Sequence, residues 1–492
     1  MGPTLLWTCT AAFHIELPFT TTSNVPSTRN QNHPIYPSAS LQRQYTALFS
    51  SSDSVSDTVN PPVTILNNTD RPIQRIFCLS DLHTDHVDNL QWLRDHAHHL
   101  TSQDLVIVAG DISHDRDTFR QTLRILRRQQ SHVWFMVGNH EAWLHARHDA
   151  HIQGGSLQKF QELYDICHQE GVYADTALQI PIHQSNENSG VSNTTSCSNT
   201  TPPDKHDWSS SSSIWVIPLH SWYDGSLSFA EEYCQDFGKW PWVDFVKTQW
   251  NDTRFPIVTD PSALDYRMPR GLTNYLHHQQ QAERDRLLVE DYHMSVTTDQ
   301  IFTVSHFLPN PQSLPDHKDL EASEFDTQSW LDHGGAGVSA KFAKVAGTIL
   351  LDQHIRRLVQ IDAEGEDLVL PHDHPSPRRY MPLHIFGHSH RPKDFVYKGI
   401  RYVHNPLGKP RERLLHMISP RVDFQLVWDQ GRPVEASVPI IRYWEEQGGG
   451  VPKLKERLQR FQRRRASRYG RYQESSTVGQ TQKTSSSHKK KQ

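Results

Sequence analysis

The feature that most constrains the fold of this chain is a pattern that occurs five times, in which a short apolar run ends directly in a polar cluster. The runs are rich in β-branched and aromatic residues and are bounded by Gly, Asn or Ser, which is typical of buried strands. They cover residues 75–80, 105–109, 133–137, 301–304 and 383–386. Helical spacing between the runs, as at Val87, Leu90 and Leu93, predicts parallel β-α-β units and an α/β fold class.

The polar clusters that follow these strands hold residue types that bind metal ions. In parallel sheets, ligands bind beyond the carboxyl ends of strands, so the five loops can converge on one point. Two clusters pair residues two positions apart, Asp81 with His83 and His388 with His390, and such residues point to the same side of an extended chain. The candidate ligands are Asp81, His83, Asp111, Asn139, His306, His388 and His390. A set of carboxylates, one amide and imidazoles suits Mn, Fe or Zn better than Ca.

Taken in order, the clusters resemble the motif blocks of the calcineurin-like metallophosphoesterase superfamily. The blocks read Asp81-Leu82-His83, Gly110-Asp111, Gly138-Asn139-His140-Glu141, Ser305-His306 and Gly387-His388-Ser389-His390. The similarity extends over residues 75–442, and flanking runs such as Ser305-His306-Phe307-Leu308-Pro309 resemble a plant-type branch of that superfamily. The resemblance implies an α/β (α+β) four-layer fold, in which a two-sheet β-sandwich is flanked by α-helices.

The resemblance also implies a dinuclear metal centre. The expected ligands are Asp81, His83 and His390 for one divalent ion, Asn139, His306 and His388 for the other, and Asp111 as the bridge. Two ions about 3.5–4 Å apart can hold a bridging hydroxide that attacks phosphorus in line with the leaving oxygen. The expected activity is therefore metal-dependent hydrolysis of a phosphate ester, either a monoester or a diester.

His140 follows the expected ligand Asn139 and is the candidate proton donor. It would protonate the leaving oxygen or stabilise charge on the phosphoryl group, and a purely supporting histidine is the alternative. Many relatives orient this histidine with an acid three residues after the bridging Asp, where this chain has His114 followed by Asp115. Nuclease-like members also carry histidine there, which favours phosphodiester substrates. Asp115 is a candidate for orienting His140, and a solvated loop position is the alternative for His114.

Two arginines, Arg391 and Arg411, are candidate phosphate clamps because guanidinium forks match phosphate oxygens, with ordinary surface arginines as the alternative. A metal-dependent phosphoesterase is the favoured function, since every ligand type and His140 are intact. A non-catalytic binding or scaffold protein on the same fold is one alternative, in which a degraded ligand set would be expected. A nuclease that processes nucleic acid is the other, with the basic tail as a phosphate-binding arm.

Composition separates a folded domain from polar segments. With 36% hydrophobic residues and a mean hydropathy of −0.66, the 492-residue chain can form one large core but also carries much polar sequence. The phosphoesterase domain is expected at 72–445, with a disordered insertion at 183–213 that is rich in Ser, Asn and Thr. An aromatic-rich segment, 227–300, is either a cap beside the metal site or part of the core. The sequence contains no run of eighteen apolar residues, so it predicts no transmembrane helix.

The two ends of the chain differ in charge. Residues 1–63 form an acid-poor leader rich in Ser, Thr, Asn and Pro, which resembles an organellar transit peptide and favours a plastid. A plain disordered extension, with a cytoplasmic or nuclear location, is the alternative. The basic disordered tail, 452–492, holds thirteen Lys or Arg at 453–491 and two Glu. Such a tail could contact nucleic acid or an anionic surface, and a solvated tail without a partner is the alternative.

Overall fold

The computed structural model of the protein describes residues 63–66, 72–182, 212–285, 294–315, 317, 336–368, 378–414, 418–419 and 421–435. The expected leader, insertion and basic tail lie outside the described residues, apart from residues 63, 212 and 213. Of the helices in the described ranges, none combines the length and the apolar content needed to cross a membrane.

A six-stranded sheet contains the first three predicted strands. Its strands are β2 (Arg75–Leu79), β3 (Asp104–Ala109), β4 (His132–Met136), β5 (Tyr173–Ala174), β12 (Gln425–Asp429) and β13 (Arg432–Pro433). The order is β13-β12-β2-β3-β4-β5, and β2 to β5 run parallel. Helices connect these parallel strands: α1 (Val87–His96), α2 (Arg116–Leu126) and α3 (Gly155–Gln169). The predicted β-α-β units are therefore confirmed.

A seven-stranded sheet contains the last two predicted strands. Its strands are β1 (Thr64–Ile65), β6 (Leu178–Pro181), β7 (Ser213–Pro218), β8 (Gln300–Val304), β9 (Leu383–Ile385), β10 (Lys393–Tyr397) and β11 (Ile400–His404). The order is β1-β6-β7-β8-β9-β11-β10, with β7, β8, β9 and β11 parallel. The helices that follow α3 are α4 (Asp244–Lys247), α5 (Leu272–Asp285), α6 (Ala336–Lys344), α7 (Ile349–Val359) and α8 (Pro410–Leu414). Short 3-10 turns lie at Ala97–His99, His140–Ala142, Glu231–Tyr233, Phe237–Lys239 and Pro311–Ser313.

The two sheets pack face to face, and helices cover both outer faces. In β3, Leu105 and Ile107 belong to a core that they share with Phe302 of β8, whereas Val106 and Val108 belong to a core shared with α1, α2 and α3. A third core joins the outer face of the seven-stranded sheet to α5, α6 and α7. Because strands in this arrangement are buried on both faces, they appear in the sequence as continuous apolar runs. The expected four-layer sandwich is confirmed.

Aromatic residues of the segment 227–300 pack in the core, and a role of the segment as a cap stays a prediction. Phe237, Phe255 and Leu272 are buried in the outer core of the seven-stranded sheet, and Trp240 and Trp242 pack against that core. The ring of Trp242 also approaches His388, with ring centroids 6.0 Å apart. The aromatic side chains are thus largely core, and one edge of the segment reaches the polar clusters.

Candidate metal centre

All five polar clusters meet at one buried point between the sheets. Asp81, Asp111 and Asn139 follow β2, β3 and β4, and His306 and the pair His388 and His390 follow β8 and β9. Each of these side chains, together with His83, is buried. The convergence that the sequence predicted at the carboxyl ends of parallel strands is therefore present in the structure.

The first half of the centre combines two carboxylates with two imidazoles. Ligand atoms of Asp81, His83, Asp111 and His390 all lie within 4.8 Å of one another. The Nε2 atoms of His83 and His390 are 2.8 Å apart, and His390 Nε2 is 3.5 Å from Asp81 Oδ1. Burial, with the charges of His390 and Lys409, lowers the pKa of His83, so its imidazole is neutral and can serve as a metal ligand.

The second half surrounds the side-chain oxygen of Asn139. His306 Nε2 lies 3.0 Å and His388 Nδ1 lies 2.9 Å from Asn139 Oδ1. Asp111 lies between the halves, since its Oδ1 is 3.4 Å from His306 Nε2 and its Oδ2 is 3.9 Å from His83 Nε2. The carboxylate of Asp111 thus presents one oxygen to each half, as a bridging ligand requires.

The outer nitrogens of three histidines fix which ring nitrogen faces the centre. His306 Nδ1 donates to Ala109 O at 2.9 Å, His388 Nε2 donates to Val345 O at 3.0 Å, and His390 Nδ1 donates to Glu412 Oε2 at 2.9 Å. Burial lowers the pKa of His306 to about 4 and also lowers the pKa of His388, so the rings of His306 and His388 each carry one proton, which points outward. The inner nitrogens of these two rings therefore present lone pairs to the side-chain oxygen of Asn139 at about 3 Å.

This arrangement fits bound cations. Asn139 Nδ2 donates to Asp244 Oδ1 at 2.9 Å, which fixes the amide so that its oxygen, and not its NH2 group, faces the two imidazoles. The groups that face one another here are imidazole lone pairs, an amide oxygen and carboxylates. They repel one another unless a positive charge lies among them. Outward hydrogen bonds that orient metal-binding histidines are the usual support of such sites.

The backbone around the centre is held in unusual conformations. Left-handed φ angles occur at Asp81 (51°), His83 (42°), Asp111 (57°), His388 (73°) and His390 (53°). Such angles cost non-glycine residues about 1–3 kcal/mol each and concentrate at functional sites. Two glycines allow the close approach, because a Cβ at Gly110 would lie 2.4 Å from His306 Nδ1 and one at Gly138 would lie 2.3 Å from Asp111 Oδ1.

Three further groups support the centre, and the sequence did not single them out for this role. His404 Nε2 lies 3.0 Å from Asp81 Oδ2. Glu141 accepts hydrogen bonds from the backbone N–H groups of Asp111 (2.9 Å), Gly138 (2.7 Å) and Ser113 (3.1 Å), and burial raises the pKa of Glu141 to about 7. Glu412 anchors His390, as described above. His404 ends β11, so the same pattern of a strand followed by a histidine could have identified it.

His140 lies at the edge of the centre with its ring fixed by packing. Its Nε2 is 3.7 Å from Asp111 Oδ2, and its ring stacks on Trp143 with centroids 3.6 Å apart. The Nδ1 atom is buried without a hydrogen-bond partner among the described residues. Burial, together with nearby His83 and Lys409, lowers the pKa of His140. The side chain is therefore a neutral imidazole at the edge of the candidate centre.

The structure places His114 and Asp115 differently from each other. His114 Nδ1 is 3.1 Å from Asp85 Oδ2, and ligand atoms of Asp85, His114 and His140 lie within 4.8 Å of one another as a second group that could hold a metal ion. Asp115 instead caps α2, where its carboxylate accepts from the Thr118 N–H at 2.9 Å. His114 and its partner Asp85 therefore lie close to His140.

Of the two candidate phosphate clamps, Arg391 lies beside the last block of the centre. Arg391 is only 6% exposed, and its Nη1 donates to His390 O at 3.0 Å and lies 3.9 Å from Glu412 Oε1. Its guanidinium group therefore stabilises the loop that carries His390. Arg411 is partly exposed in the first turn of α8.

Several known proteins are similar to this chain. Acyl-carrier-protein phosphodiesterase PptH of Mycobacterium tuberculosis is 33% identical over 97 residues, which make up 20% of this chain and 29% of that enzyme, so the alignment spans less than a third of the relative. The crystal structure of the phosphopantetheinyl hydrolase PptH from the same organism gives a TM-score of 0.45 at 19% identity, over 74% of this chain and 99% of that chain. Residues 74–392, more than half of the chain, match the calcineurin-like phosphoesterase family, and the protein belongs to that family.

Proposed function

We propose that this protein is a metal-dependent hydrolase of phosphoric esters that acts on phosphodiesters. The observation that carries the proposal is the pair of inward lone pairs of His306 and His388, which converge on the side-chain oxygen of Asn139 while their outer N–H groups are committed to fixed acceptors. In this proposal one divalent ion is held by Asp81, His83 and His390, the other by Asn139, His306 and His388, and Asp111 bridges them. The donor set favours Mn, Fe or Zn.

Two bound ions would supply an activated water at neutral pH and neutralise charge on the phosphoryl oxygens. The side chains of the protein would orient the reacting groups and donate a proton. Asp111 directs one carboxylate oxygen to each half, and the outward hydrogen bonds keep the imidazoles from rotating. His140 holds its ring against Trp143 with Nε2 toward Asp111, where an N–H at Nε2 can donate to the leaving oxygen or to a phosphoryl oxygen. His114, beside Asp85, is the candidate neighbour that orients His140.

Two observations support a diester as the substrate. His114 stands where an acid would be expected, as in nuclease-like family members, and the relative with 33% identity is named for phosphodiester cleavage on acyl carrier protein. A diester that links a phosphopantetheine group to a carrier protein is accordingly a candidate substrate. Monoester hydrolysis and nucleic-acid processing are the competing activities. A non-catalytic role is disfavoured because every predicted ligand is present and buried at one point.

The test compares hydrolysis of bis-p-nitrophenyl phosphate with that of p-nitrophenyl phosphate. Metal-stripped protein is assayed alone and after addition of Mn, Fe, Zn or Mg, beside the Asp111→Asn variant. A matched control is Asp260→Asn, since the exposed carboxylate of Asp260 accepts hydrogen bonds from Ser262, far from the candidate ligands in the sequence. We expect metal-dependent turnover that favours the diester, survives in the control and is lost in Asp111→Asn. Near-normal turnover in Asp111→Asn would refute the two-metal proposal.

A further inference from the structure

Asp244 is a buried carboxylate that connects segment 227–300 to the candidate metal centre. It is 1% exposed and lies at the start of α4. Four side chains donate to it. They are Asn139 Nδ2 (2.9 Å) and Trp143 Nε1 (2.7 Å) at Oδ1, and Tyr223 OH (3.2 Å) and Trp242 Nε1 (3.0 Å) at Oδ2. An ionised carboxylate accepts only, so all four contacts are satisfied at once.

The contact with Asn139 has a consequence for metal binding that the other three lack. A side-chain amide is nearly symmetric in shape, and only its hydrogen bonds decide whether oxygen or NH2 faces a given direction. Only the oxygen can bind a cation. Asp244 Oδ1 receives the NH2 group of Asn139, so the oxygen faces His306 and His388.

The same carboxylate also holds the two indoles that border the centre. The ring of Trp143 stacks on His140, and the ring of Trp242 meets His388 edge-on with centroids 6.0 Å apart. Asp244 therefore ties one expected ligand to the packing partners of His140 and His388. This group has no counterpart among the motif blocks, because it comes from a part of the chain without a recognisable metal pattern.

We propose that Asp244 is a positioning residue that locks the amide of Asn139 with its oxygen toward the second metal ion, a role that rests on the proposed function. Removal of the carboxylate leaves Asn139 free to rotate, and half of its orientations present NH2 to the ion. Loss of a residue that orients a metal ligand typically weakens metal affinity by about 10- to 100-fold. The ion bound by Asp81, His83 and His390 should be unaffected.

The test measures metal stoichiometry by elemental analysis after equilibrium dialysis, and metal affinity by calorimetry, with Zn or Mn as the probe. Asp244→Leu keeps the approximate size of the side chain and removes both acceptor oxygens, so no group at this position can hold the NH2 of Asn139. The matched control, Tyr223→Phe, removes a different donor to the same carboxylate and leaves the Asn139 contact intact. We expect two ions per chain in the native protein and in Tyr223→Phe, and one tight plus one weakened ion in Asp244→Leu.

A reversed pair separates positioning from a general effect on folding. In the double variant Asn139→Asp with Asp244→Asn, the new amide at 244 can donate to one oxygen of the carboxylate at 139, and the other oxygen faces the ion. We expect this variant to recover the second ion, whereas a merely structural role of Asp244 predicts no recovery. Unchanged affinity in Asp244→Leu, or failure of the double variant to bind a second ion, would overturn the proposal. Absence of metal binding by the native protein would instead overturn the proposed function.

Discussion

Gly138 offers a direct way to disturb the centre without removing any candidate ligand. A methyl group in Gly138→Ala would place its Cβ 2.3 Å from Asp111 Oδ1, 2.7 Å from Asp111 N and 2.9 Å from His306 Cε1. Non-bonded carbon contacts are comfortable at about 3.5–4.0 Å. The carboxylate of Asp111 must therefore move by about 1 Å or the loop after β4 must shift, and the backbone N of Asp111 blocks the second route.

The size of the expected effect follows from that displacement. Overpacking of a buried position costs about 1–3 kcal/mol, which leaves a protein of ordinary stability folded. A misplacement of about 1 Å in a catalytic arrangement costs about 100-fold in rate. We therefore expect Gly138→Ala to lower turnover of bis-p-nitrophenyl phosphate by about 100-fold, while the free energy of unfolding falls by no more than about 3 kcal/mol.

The measurement pairs urea unfolding with metal-reconstituted turnover. Gly337→Ala is the control, because Gly337 lies in α6 and a Cβ there meets only Tyr233 O at 3.7 Å. Gly337 is the second residue of α6, where alanine fits a helical backbone at least as well as glycine, so Gly337→Ala should keep both its stability and its turnover. Turnover within a few-fold of the native value in folded Gly138→Ala would refute the tight packing of Asp111 against this loop.

Three further predictions concern single side chains. His140→Ala should keep both ions by elemental analysis and lower turnover by about 100-fold or more, whereas loss of an ion would make His140 a ligand. Glu412→Gln should weaken metal affinity by about 10- to 100-fold in calorimetry, since it replaces the charged acceptor of His390 Nδ1, and unchanged affinity would contradict that role. His277 Nδ1 lies 2.7 Å from His354 Nδ1, and burial lowers the pKa of His277 from 6.5 to about 3. Neutral His277 contributes its full stabilisation above pH 6.5, and this stabilisation is lost as the pH falls toward 3. Between about pH 7.5 and about pH 5, the free energy of unfolding measured in urea should therefore fall by about 2 kcal/mol more in the native protein than in His277→Gln. Equal decreases would contradict this assignment.

The sequence predicted the parts of the fold that depend on local pattern. Continuous apolar runs identified β2, β3, β4, β8 and β9, because strands buried on both faces need apolar residues at every position. Parallel topology then predicted that Asp81 and His390 would meet despite their separation. The geometry agrees, and the assignment of individual ions to these ligands stays a prediction.

Groups whose role depends on tertiary contacts could not be read from the sequence. Asp244 is one acid among many in a segment without a motif, and only packing brings it to Asn139. The sequence made Arg391 a candidate for phosphate binding, but in the structure its guanidinium group donates to His390 O. Asp115 did carry a readable signal, since Asp directly before a helix is a common N-cap.

The separation of the ligands along the chain determines when the centre can form. The Nε2 atoms of His83 and His390 lie 2.8 Å apart although 307 residues separate them. Contacts of such long range form late in folding, because closure of the intervening loop costs entropy before any contact compensates for it. During synthesis the first half-set of ligands leaves the ribosome long before its partners, and Glu412 follows later still. In the proposed metal enzyme, ions would therefore load only after His390 has been synthesised, and bound metal would report that the two sheets have packed together.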